Sequence, residues 1–342
     1  MSPSSAETAS PKCLLVLGVH RSGTSMLSGS ISRLGLQAAA TLMPPTSANE
    51  RGYYESLPIS KLNDRIFSAL GTSWKGWEPI DPSWFATPQA LEFQIEALEL
   101  VQSEFDISAP FVLKDPRICR LFPFWKAVLD QLDVPPTIFH IHRNPLEVAA
   151  SLSEREAFGE DYALLLWLRY VLDVEFSSRN TRRVFTSYAL LLKDWKSELA
   201  SISEMSGLET LSKTDQSESG VMDFISPDLR HARRTSGELK SKTEMRWIVN
   251  VFQILERWVR LGESEDDYPR LDRIRKTFDS VAPMFGGAVR QGVSSALQLS
   301  KTRDKLQKAY RANKKLRGRN GDLVDLVAKL EAELEGMRKA KK

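Results

Sequence analysis

The sequence contains few cysteines and no long apolar segment. Only two of its 342 residues are cysteine, which cannot support a disulfide framework. Neither Cys13 nor Cys119 stands at a spacing typical of metal ligands. No run of about 18 apolar residues is present, which argues against a membrane-spanning helix. These absences predict a protein of a reducing compartment.

Charge is nearly balanced over the whole chain. There are 47 Lys and Arg residues against 44 Asp and Glu residues, so the formal net charge is +3. This charge is too small to imply a polyanion as the partner of the entire chain, and no nucleic acid is expected. Residues 1–11 are polar and lack the apolar core of a signal peptide. We predict that they form a short disordered tail on a cytoplasmic protein.

Four short apolar runs alternate with segments of helical periodicity. These runs cover residues 13–17, 111–114, 137–142 and 183–188. Helical patterns such as 88–105 and 145–156 lie between them, which predicts βαβ units. We therefore expect an α/β fold of three layers, in which a parallel sheet is flanked by helices. Ligands of such folds bind at the carboxyl ends of the strands.

The chain divides into regions of different composition. We predict a main domain over residues 12–290, in which 203–220 is a flexible insertion rich in Ser, Glu, Lys and Thr. Residues 49–84 are rich in aromatics and loop formers, which predicts a region of loops and helices over the crevice. Residues 291–342 are predicted to form a basic helical extension.

This extension has an approximate heptad pattern. One core position holds Leu299, Leu306, Asn313, Asn320, Val327 and Leu334, and the other holds Ala309, Leu316, Leu323, Leu330 and Met337. Residues 301–319 contain nine Lys or Arg against one Asp, and Gly318 and Gly321 are expected to interrupt the helix. A coiled coil would form a homodimer or dock a partner, whereas the basic half would lie on anionic lipid at the inner face of a membrane or hold an acidic polysaccharide. A solvated helix without a partner is the remaining alternative.

The stretch GVHRSGTS, residues 18–25, follows the first predicted strand. Its glycines have the spacing of a nucleotide-binding P-loop, GxxxxGK[ST], and such a turn directs backbone N–H groups and a helix dipole at an anion. Thr24 occupies the position of the lysine that grips the triphosphate of ATP, and the cation has moved to Arg21. We therefore expect a P-loop-like fold whose donor group carries less charge than a triphosphate, and a phosphosulfate fits that description.

Two motifs together resemble those of the sulfotransferase superfamily, which uses 3′-phosphoadenosine 5′-phosphosulfate (PAPS). HRSGTS resembles its 5′-phosphosulfate loop, and IFHIHRNPLEVAASL resembles its 3′-phosphate motif. VFTSYALLLKDW is a weaker match to a segment that lies near the adenine. By this resemblance the PAPS-binding residues are Arg21, Ser22, Gly23, Thr24, Ser25, Arg143, Ser151 and Tyr188.

Sulfuryl transfer requires a base for the acceptor proton and cations for the leaving phosphate, and no metal is expected. The resemblance implies that Arg21 stabilises the leaving group, that Glu55 of RGYYES is the base, and that Lys114 binds the bridging oxygen or the sulfuryl group. Burial would raise the pKa of Glu55 and suit it to this role. Some members of the superfamily use a histidine from a KTHLP-like segment, but the matching VLKDPRI has no histidine. This departure favours Glu55 and leaves His20 as the second candidate.

The expected acceptor is a hydroxyl-bearing molecule, and resemblance to carbohydrate-directed members indicates a glycan. Trp74, Trp77 and Trp84 would either pack against sugar rings or fill the core and lid. Two other functions remain open. The first is a small-molecule kinase that uses ATP and Mg²⁺, with Asp115 of FVLKDP as its nearest metal ligand. The second is a non-catalytic nucleotide-binding scaffold that acts through its helical tail.

Overall fold

A four-stranded parallel sheet forms the centre of the main domain in the computed structural model. The structure describes residues 13–46, 49–156, 159–206, 215–225, 236–241 and 245–340. The strands are β1 (Cys13–Leu17), β2 (Phe111–Lys114), β3 (Pro136–His142) and β4 (Arg183–Ser187). They are ordered β2-β1-β3-β4 and every neighbouring pair is parallel. The predicted α/β fold with a parallel sheet is confirmed.

Helices cover both faces of this sheet and connect its strands. They are α1 (Thr24–Arg33), α2 (Leu57–Ala69), α3 (Pro88–Glu104), α4 (Ile118–Gln131), α5 (Pro145–Glu156), α6 (Glu160–Ser177), α7 (Tyr188–Lys193), α8 (Trp195–Ser206), α9 (Asp215–Phe224), α10 (Ser236–Ser241), α11 (Arg246–Leu261) and α12 (Tyr268–Ala340). Within the described residues, no helix is both long enough and apolar enough to cross a lipid bilayer. Short 3-10 helices occur at Pro82–Ala86 and Glu265–Asp267.

Alternate residues of β3 separate the two faces of the sheet. Phe139 and Ile141 join the apolar cluster that contains Leu27 and Ile31 of α1. His140 and His142 point to the other face, where the ring of His142 lies 5.7 Å from that of Phe252 on α11. The loop after β1 therefore emerges on the α1 side, at the carboxyl edge of the sheet.

The chain divides into two compact units, Met1–Gly287 and Ala288–Lys342. The second unit consists of the later part of α12, which runs without a break to Ala340. The expected interruption at Gly318 and Gly321 is therefore wrong. A glycine costs a helix about 1 kcal/mol relative to alanine, which neighbouring helix formers offset here.

Residues 1–11, and residues 207–214 of the predicted insertion, lie outside the described residues, whereas residues 203–206 and 215–220 are helical.

Candidate active site

The loop between β1 and α1 makes a tight turn at the edge of the sheet. The Ser22 N–H donates to the Val19 carbonyl at 3.0 Å and closes the turn. Arg21 adopts a left-handed conformation with a φ of 70°, and Gly23 follows with a φ of 97°. Helix α1 begins at the next residue, so its first N–H groups point out of the turn toward the edge of the sheet. This end of the helix favours an anion.

Two glycines allow the neighbouring chain to approach this loop closely. A Cβ at Gly18 would stand 2.4 Å from the Ile141 carbonyl oxygen, which belongs to β3. A Cβ at Gly23 would stand 2.5 Å from the Tyr188 ring, in a backbone conformation that L-residues rarely adopt. Glycine is therefore required at both positions by the packing, and the loop is held against β3 and α7.

The two predicted anion motifs meet at this loop, although they are about 120 residues apart in sequence. Arg21 Nε donates to Ser151 Oγ on α5 at 2.8 Å. Arg143, which follows β3, donates from Nη1 to the Arg21 carbonyl at 3.2 Å and from Nε to Glu147 at 2.8 Å. Its guanidinium carbon lies 4.3 Å from the centre of the Tyr188 ring. One site thus contains Arg21, Arg143, Ser151 and Tyr188.

Cations surround Arg21, and we call Arg21, Arg143 and Arg155 the anion wall. Burial lowers the pKa of Arg21 below its usual value, and repulsion from Arg155 and Arg143 lowers it further. Arg155 also bonds to Glu156 from Nε at 2.6 Å. Because Arg155 and Arg143 add positive charge beside Arg21, an anion bound at this wall would be stabilised by several arginines at once.

Glu55, Lys114 and Arg117 lie on the other side of the loop, and we call them the paired wall because the carboxylate forms ion pairs with both cations. Lys114 Nζ lies 2.6 Å from Glu55 Oε1 and donates to the Tyr53 carbonyl at 2.9 Å. Arg117 Nη1 lies 3.3 Å from Glu55 Oε2. Only 4% of Glu55 and 2% of Lys114 is exposed, so the ion pair is removed from water.

The pKa values on the paired wall are shifted by burial and by these partners. Burial raises the pKa of Glu55, and the lowering effect of Lys114 and Arg117 only partly offsets it. Burial alone would lower the pKa of Arg117, but Asp115, Glu55 and Asp64 outweigh it and raise the pKa. Arg117 contacts Asp64 and Asp115 at 2.8 and 3.1 Å. The wall therefore combines a raised carboxyl pKa with firmly held cations.

A cavity of about 510 Å³ lies between the two walls. Its size is within the usual range for small-molecule sites. The lining includes the five cationic side chains of Arg21, Arg51, Lys114, Arg143 and Arg155, against two carboxylates, Glu50 and Glu55. This excess of positive charge favours an anionic ligand.

The predicted site residues occupy two positions relative to this cavity. Arg21, Gly23, Thr24, Ser25, Glu55, Lys114, Arg143 and Tyr188 line it. Ser22 and Ser151 lie outside the lining. The Ser22 hydroxyl is fully buried and has no hydrogen-bond partner in the described part of the chain, and its N–H is used within the turn. Ser151 instead positions the Arg21 side chain.

The structure places His20 at the cavity. Its ring lies 4.5 Å from that of Trp74 and 5.6 Å from that of Tyr170, and Nε2 has no partner among the described residues. Burial, and then nearby cations, hold the pKa of His20 well below its usual value, so the ring is neutral. His140 is a packed strand residue, and His142 Nε2 pairs with Glu256 at 2.7 Å on the other face of the sheet.

The segment 74–78 beside His20 is held by buried side chains that contact every one of its carbonyls. The bonds run from Tyr170 to residue 74 (2.6 Å), from Tyr162 to residue 75 (2.7 Å), from Arg120 to residues 76 and 78, and from Arg169 to residue 77 (2.7 Å). Five consecutive carbonyls are thus fixed, and with them the position of the Trp74 ring.

The tryptophans of this region have different surroundings. Trp74 contacts His20 and lies under Lys75 and Arg155, whose charged groups are 5.2 and 5.4 Å from its ring centre. Trp77 is buried against Phe278, at 5.4 Å, and Trp84 packs against other rings. Trp77 and Trp84 are therefore packing residues, and Trp74 is the one beside the cavity.

Among the lining residues to which sequence reasoning gave no role are Asn49, Arg51, Arg155 and Phe224. Arg155 stands four residues after Ser151 on α5, so helical spacing alone could have indicated it. Arg51 donates to the carbonyls of Asp223 and Phe224 at the end of α9. Asn49 donates to Ser25 Oγ at 3.3 Å. The composition of residues 49–84 predicts only that this region lies over the crevice. No local pattern predicts which side chains reach the cavity, because tertiary packing brings Asn49, Arg51 and Phe224 there.

Comparison with known proteins gives limited matches. The chain matches no protein-family profile and no curated protein sequence. Solved structures similar to it include two that each have 14% sequence identity. The sulfotransferase domain of the Synechococcus PCC 7002 olefin synthase has a TM-score of 0.39 and aligns over 74% of this chain and 98% of its own. Retinol dehydratase in complex with androsterone and inactive cofactor PAP has a TM-score of 0.28 and aligns over 79% of this chain and 81% of its own. Because both TM-scores lie below 0.5, we base function on the site itself.

Proposed function

We propose that the protein is a sulfotransferase that moves the sulfuryl group of PAPS to a hydroxyl of an acceptor, and that the acceptor is a glycan. The observation that carries this proposal is the meeting of the two sequence motifs in one cavity. Arg143 donates to the Arg21 carbonyl, and Arg21 in turn donates to Ser151. A donor with a phosphosulfate and a separate 3′-phosphate needs two such cationic positions.

On this proposal the anion wall binds the donor. The start of α1 and Arg21 would hold the 5′-phosphosulfate, because backbone N–H groups and a guanidinium both stabilise charge on the leaving oxygen. Arg143 would pair with the 3′-phosphate. The Tyr188 ring, which lies 4.3 Å from the Arg143 guanidinium carbon, would contact the adenine.

The paired wall would perform the proton transfer. The acceptor oxygen forms a bond to sulfur, the bond between sulfur and the bridging oxygen breaks, and 3′-phosphoadenosine 5′-phosphate (PAP) leaves. The hydroxyl proton passes to Glu55, whose raised pKa makes it a stronger base than an ordinary carboxylate. Lys114 lies 2.6 Å from Glu55 and would turn toward the charge that develops on the leaving oxygen, which frees a lone pair of Glu55.

A kinase that uses ATP and Mg²⁺ is the alternative, and two contacts argue against it. Ser25 stands where the Mg²⁺-binding hydroxyl of a P-loop would be, but the Lys114 ammonium lies 3.3 Å from its oxygen and would repel a cation. Asp115, the nearest candidate for a metal ligand, accepts hydrogen bonds from Asn63 and Arg117. In the described residues, no cluster of three or more His, Cys, Asp or Glu side chains could hold a metal ion.

Calorimetry with PAP and with ATP-Mg tests the donor. We expect PAP to bind more tightly, and the substitution Arg143→Ala to weaken PAP binding much more than it weakens the binding of adenosine 5′-phosphosulfate, which lacks the 3′-phosphate. The proposal would be contradicted if ATP-Mg bound more tightly than PAP, or if Arg143→Ala weakened the binding of PAP and of adenosine 5′-phosphosulfate equally.

A screen of glycans with labelled PAPS then tests the acceptor. Labelling of non-carbohydrate hydroxyls alone would overturn the proposal of a glycan acceptor. A cytoplasmic location and contact with a membrane stay predictions.

A further inference from the structure

The last part of α12 carries a seam of apolar residues that are open to solvent. Leu306, Leu316, Leu323, Val327 and Leu330 follow the heptad pattern, and each is between 49% and 70% exposed. Monomeric proteins rarely leave a continuous apolar seam of this length in water. Heptad spacing is the pattern by which one helix packs against another, so the seam fits a helical partner.

Charge along this helix is separated into two halves. Residues 301–319 contain nine Lys or Arg against one Asp, whereas residues 320–335 contain five Asp or Glu against one Lys. Two copies packed in parallel would place the basic halves side by side and the acidic halves side by side. Two antiparallel copies would place each basic half beside an acidic half, which is electrostatically favourable.

We propose that the seam binds a second copy of the chain as an antiparallel coiled coil centred near residue 318. In this register the two core positions of the heptad face each other across the interface. Leu306 packs on the partner's Leu330, and Ala309 packs on the partner's Val327. The proposal concerns assembly and does not depend on the sulfotransferase reaction.

The positions that flank the core agree with this register. Arg303 comes beside the partner's Glu331, and Lys305 beside the partner's Glu333, so opposite charges pair. The apolar flanking residues also meet one another, since Tyr310 comes beside the partner's Val324. In a parallel pairing Val324 would instead lie beside the partner's Arg319. The antiparallel register therefore matches both charge and polarity better.

Two core asparagines must be accommodated in either orientation. The antiparallel register places Asn313 one layer from the partner's Asn320, about 4.5 Å along the axis at 1.5 Å per residue, so their amides can bond. A parallel register would satisfy the asparagines by placing each opposite its own copy. Both registers therefore give the amides partners, and the charge pattern decides between them.

Disulfide crosslinking between two single variants of the full chain tests the orientation. Leu306→Cys and Leu330→Cys proteins are mixed and oxidised, and we expect interchain disulfides in the mixture but not in either variant alone. In the antiparallel pairing, two copies of residue 306 stand about 36 Å apart along the axis. Rapid crosslinking of Leu306→Cys by itself would overturn the proposal in favour of a parallel pair. The natural Cys13 and Cys119 are both buried, so they contribute little background.

Sedimentation of charge-swapped variants tests the pairing without any cysteine. We expect Arg303→Glu with Lys305→Glu to weaken self-association at least tenfold, and added Glu331→Lys with Glu333→Lys to restore it. Lys314→Glu with Lys315→Glu makes the same change of charge on the outer face of the helix and should shift the dimer dissociation constant by less than threefold. Equal weakening by both pairs of substitutions would contradict the register. A wild-type chain that stays monomeric but binds anionic vesicles or an acidic polysaccharide would overturn the proposal.

Discussion

The two walls of the cavity shift the pKa of an arginine in opposite directions. On the anion wall, burial and two neighbouring arginines lower the pKa of Arg21. On the paired wall, three carboxylates raise the pKa of Arg117 despite its burial. On the first wall three arginines outnumber their partners Glu147 and Glu156, so positive charge is in excess there. On the second wall Glu55, Asp64 and Asp115 outnumber Lys114 and Arg117. The difference separates a surface built for an anion from one built to hold a base and its partners in place.

Removal of a cation from the paired wall has the largest expected effect. The substitution Lys114→Met leaves Glu55 buried with only the longer contact to Arg117, and breaking a buried pair in this way costs about 3–5 kcal/mol. Urea unfolding at pH 7 measures this loss. Lys126→Met removes a more exposed pair with Asp130 and should cost no more than about 1 kcal/mol. Similar losses for both variants would show that the Lys114–Glu55 pair stabilises the fold no more than a surface pair does.

Removal of a cation from the anion wall should affect the ligand rather than the fold. We expect Arg21→Ala to weaken PAP binding about 10- to 100-fold, since hydrogen bonds to charged groups are worth about 1.5–3 kcal/mol. Its free energy of unfolding should change little, because the substitution relieves repulsion from Arg143 and Arg155. Calorimetry and urea unfolding measure the two quantities. Arg65→Ala, which removes a surface pair with Glu96, is the control, and equal PAP affinity in both variants would show that Arg21 does not hold the donor.

The pH dependence of stability provides the smallest and most specific test. Because burial raises the pKa of Glu55 above its usual 4.5, its contribution to stability is complete below that value and is lost as the pH rises through the folded pKa. The stability of the wild type relative to Glu55→Gln should therefore decrease as the pH rises above about 4.5, by up to about 1.4 kcal/mol per pH unit. Urea unfolding at a series of pH values measures this trend. The raised pKa of Glu55 would be contradicted if the stability of the wild type relative to Glu55→Gln stayed constant or increased with pH.

The sheet and its helices could be predicted because their signals are local. The apolar run at Cys13–Leu17 and the helix at Pro145–Glu156 have the predicted bounds, since each has its own periodicity and boundary residues. The spacing within the two motifs also indicated that Arg21 and Arg143 would converge, because the carboxyl ends of parallel strands share an edge. Local pattern therefore sufficed for the frame and for Arg21 and Arg143 of the anion wall, whereas Arg155 was missed.

The contacts within the paired wall could not be predicted from the sequence and became visible only in the tertiary structure. Sequence reasoning named Glu55 and Lys114, but it did not show that Lys114 lies 2.6 Å from Glu55 or that Arg117 bonds to the same carboxylate. These partners come from β2 and the loop that follows it, more than 50 residues from Glu55. The unbroken helix at Gly318 was missed for a different reason, since the cost of a glycine is small beside the propensity of its neighbours.

The hydrogen bonds to the carbonyls of segment 74–78 hold its backbone without using the side chains of the segment. Tyr162, Tyr170, Arg120 and Arg169 hold the segment through its carbonyl oxygens, which every amino acid possesses. Trp74 and Lys75 can therefore be exchanged while the path of the backbone is preserved, whereas Trp77 is buried against Phe278. A collection of variants at Trp74 and Lys75 would present different surfaces beside the cavity on one fixed backbone. On the proposed function, such variants would test whether this segment affects the choice of acceptor.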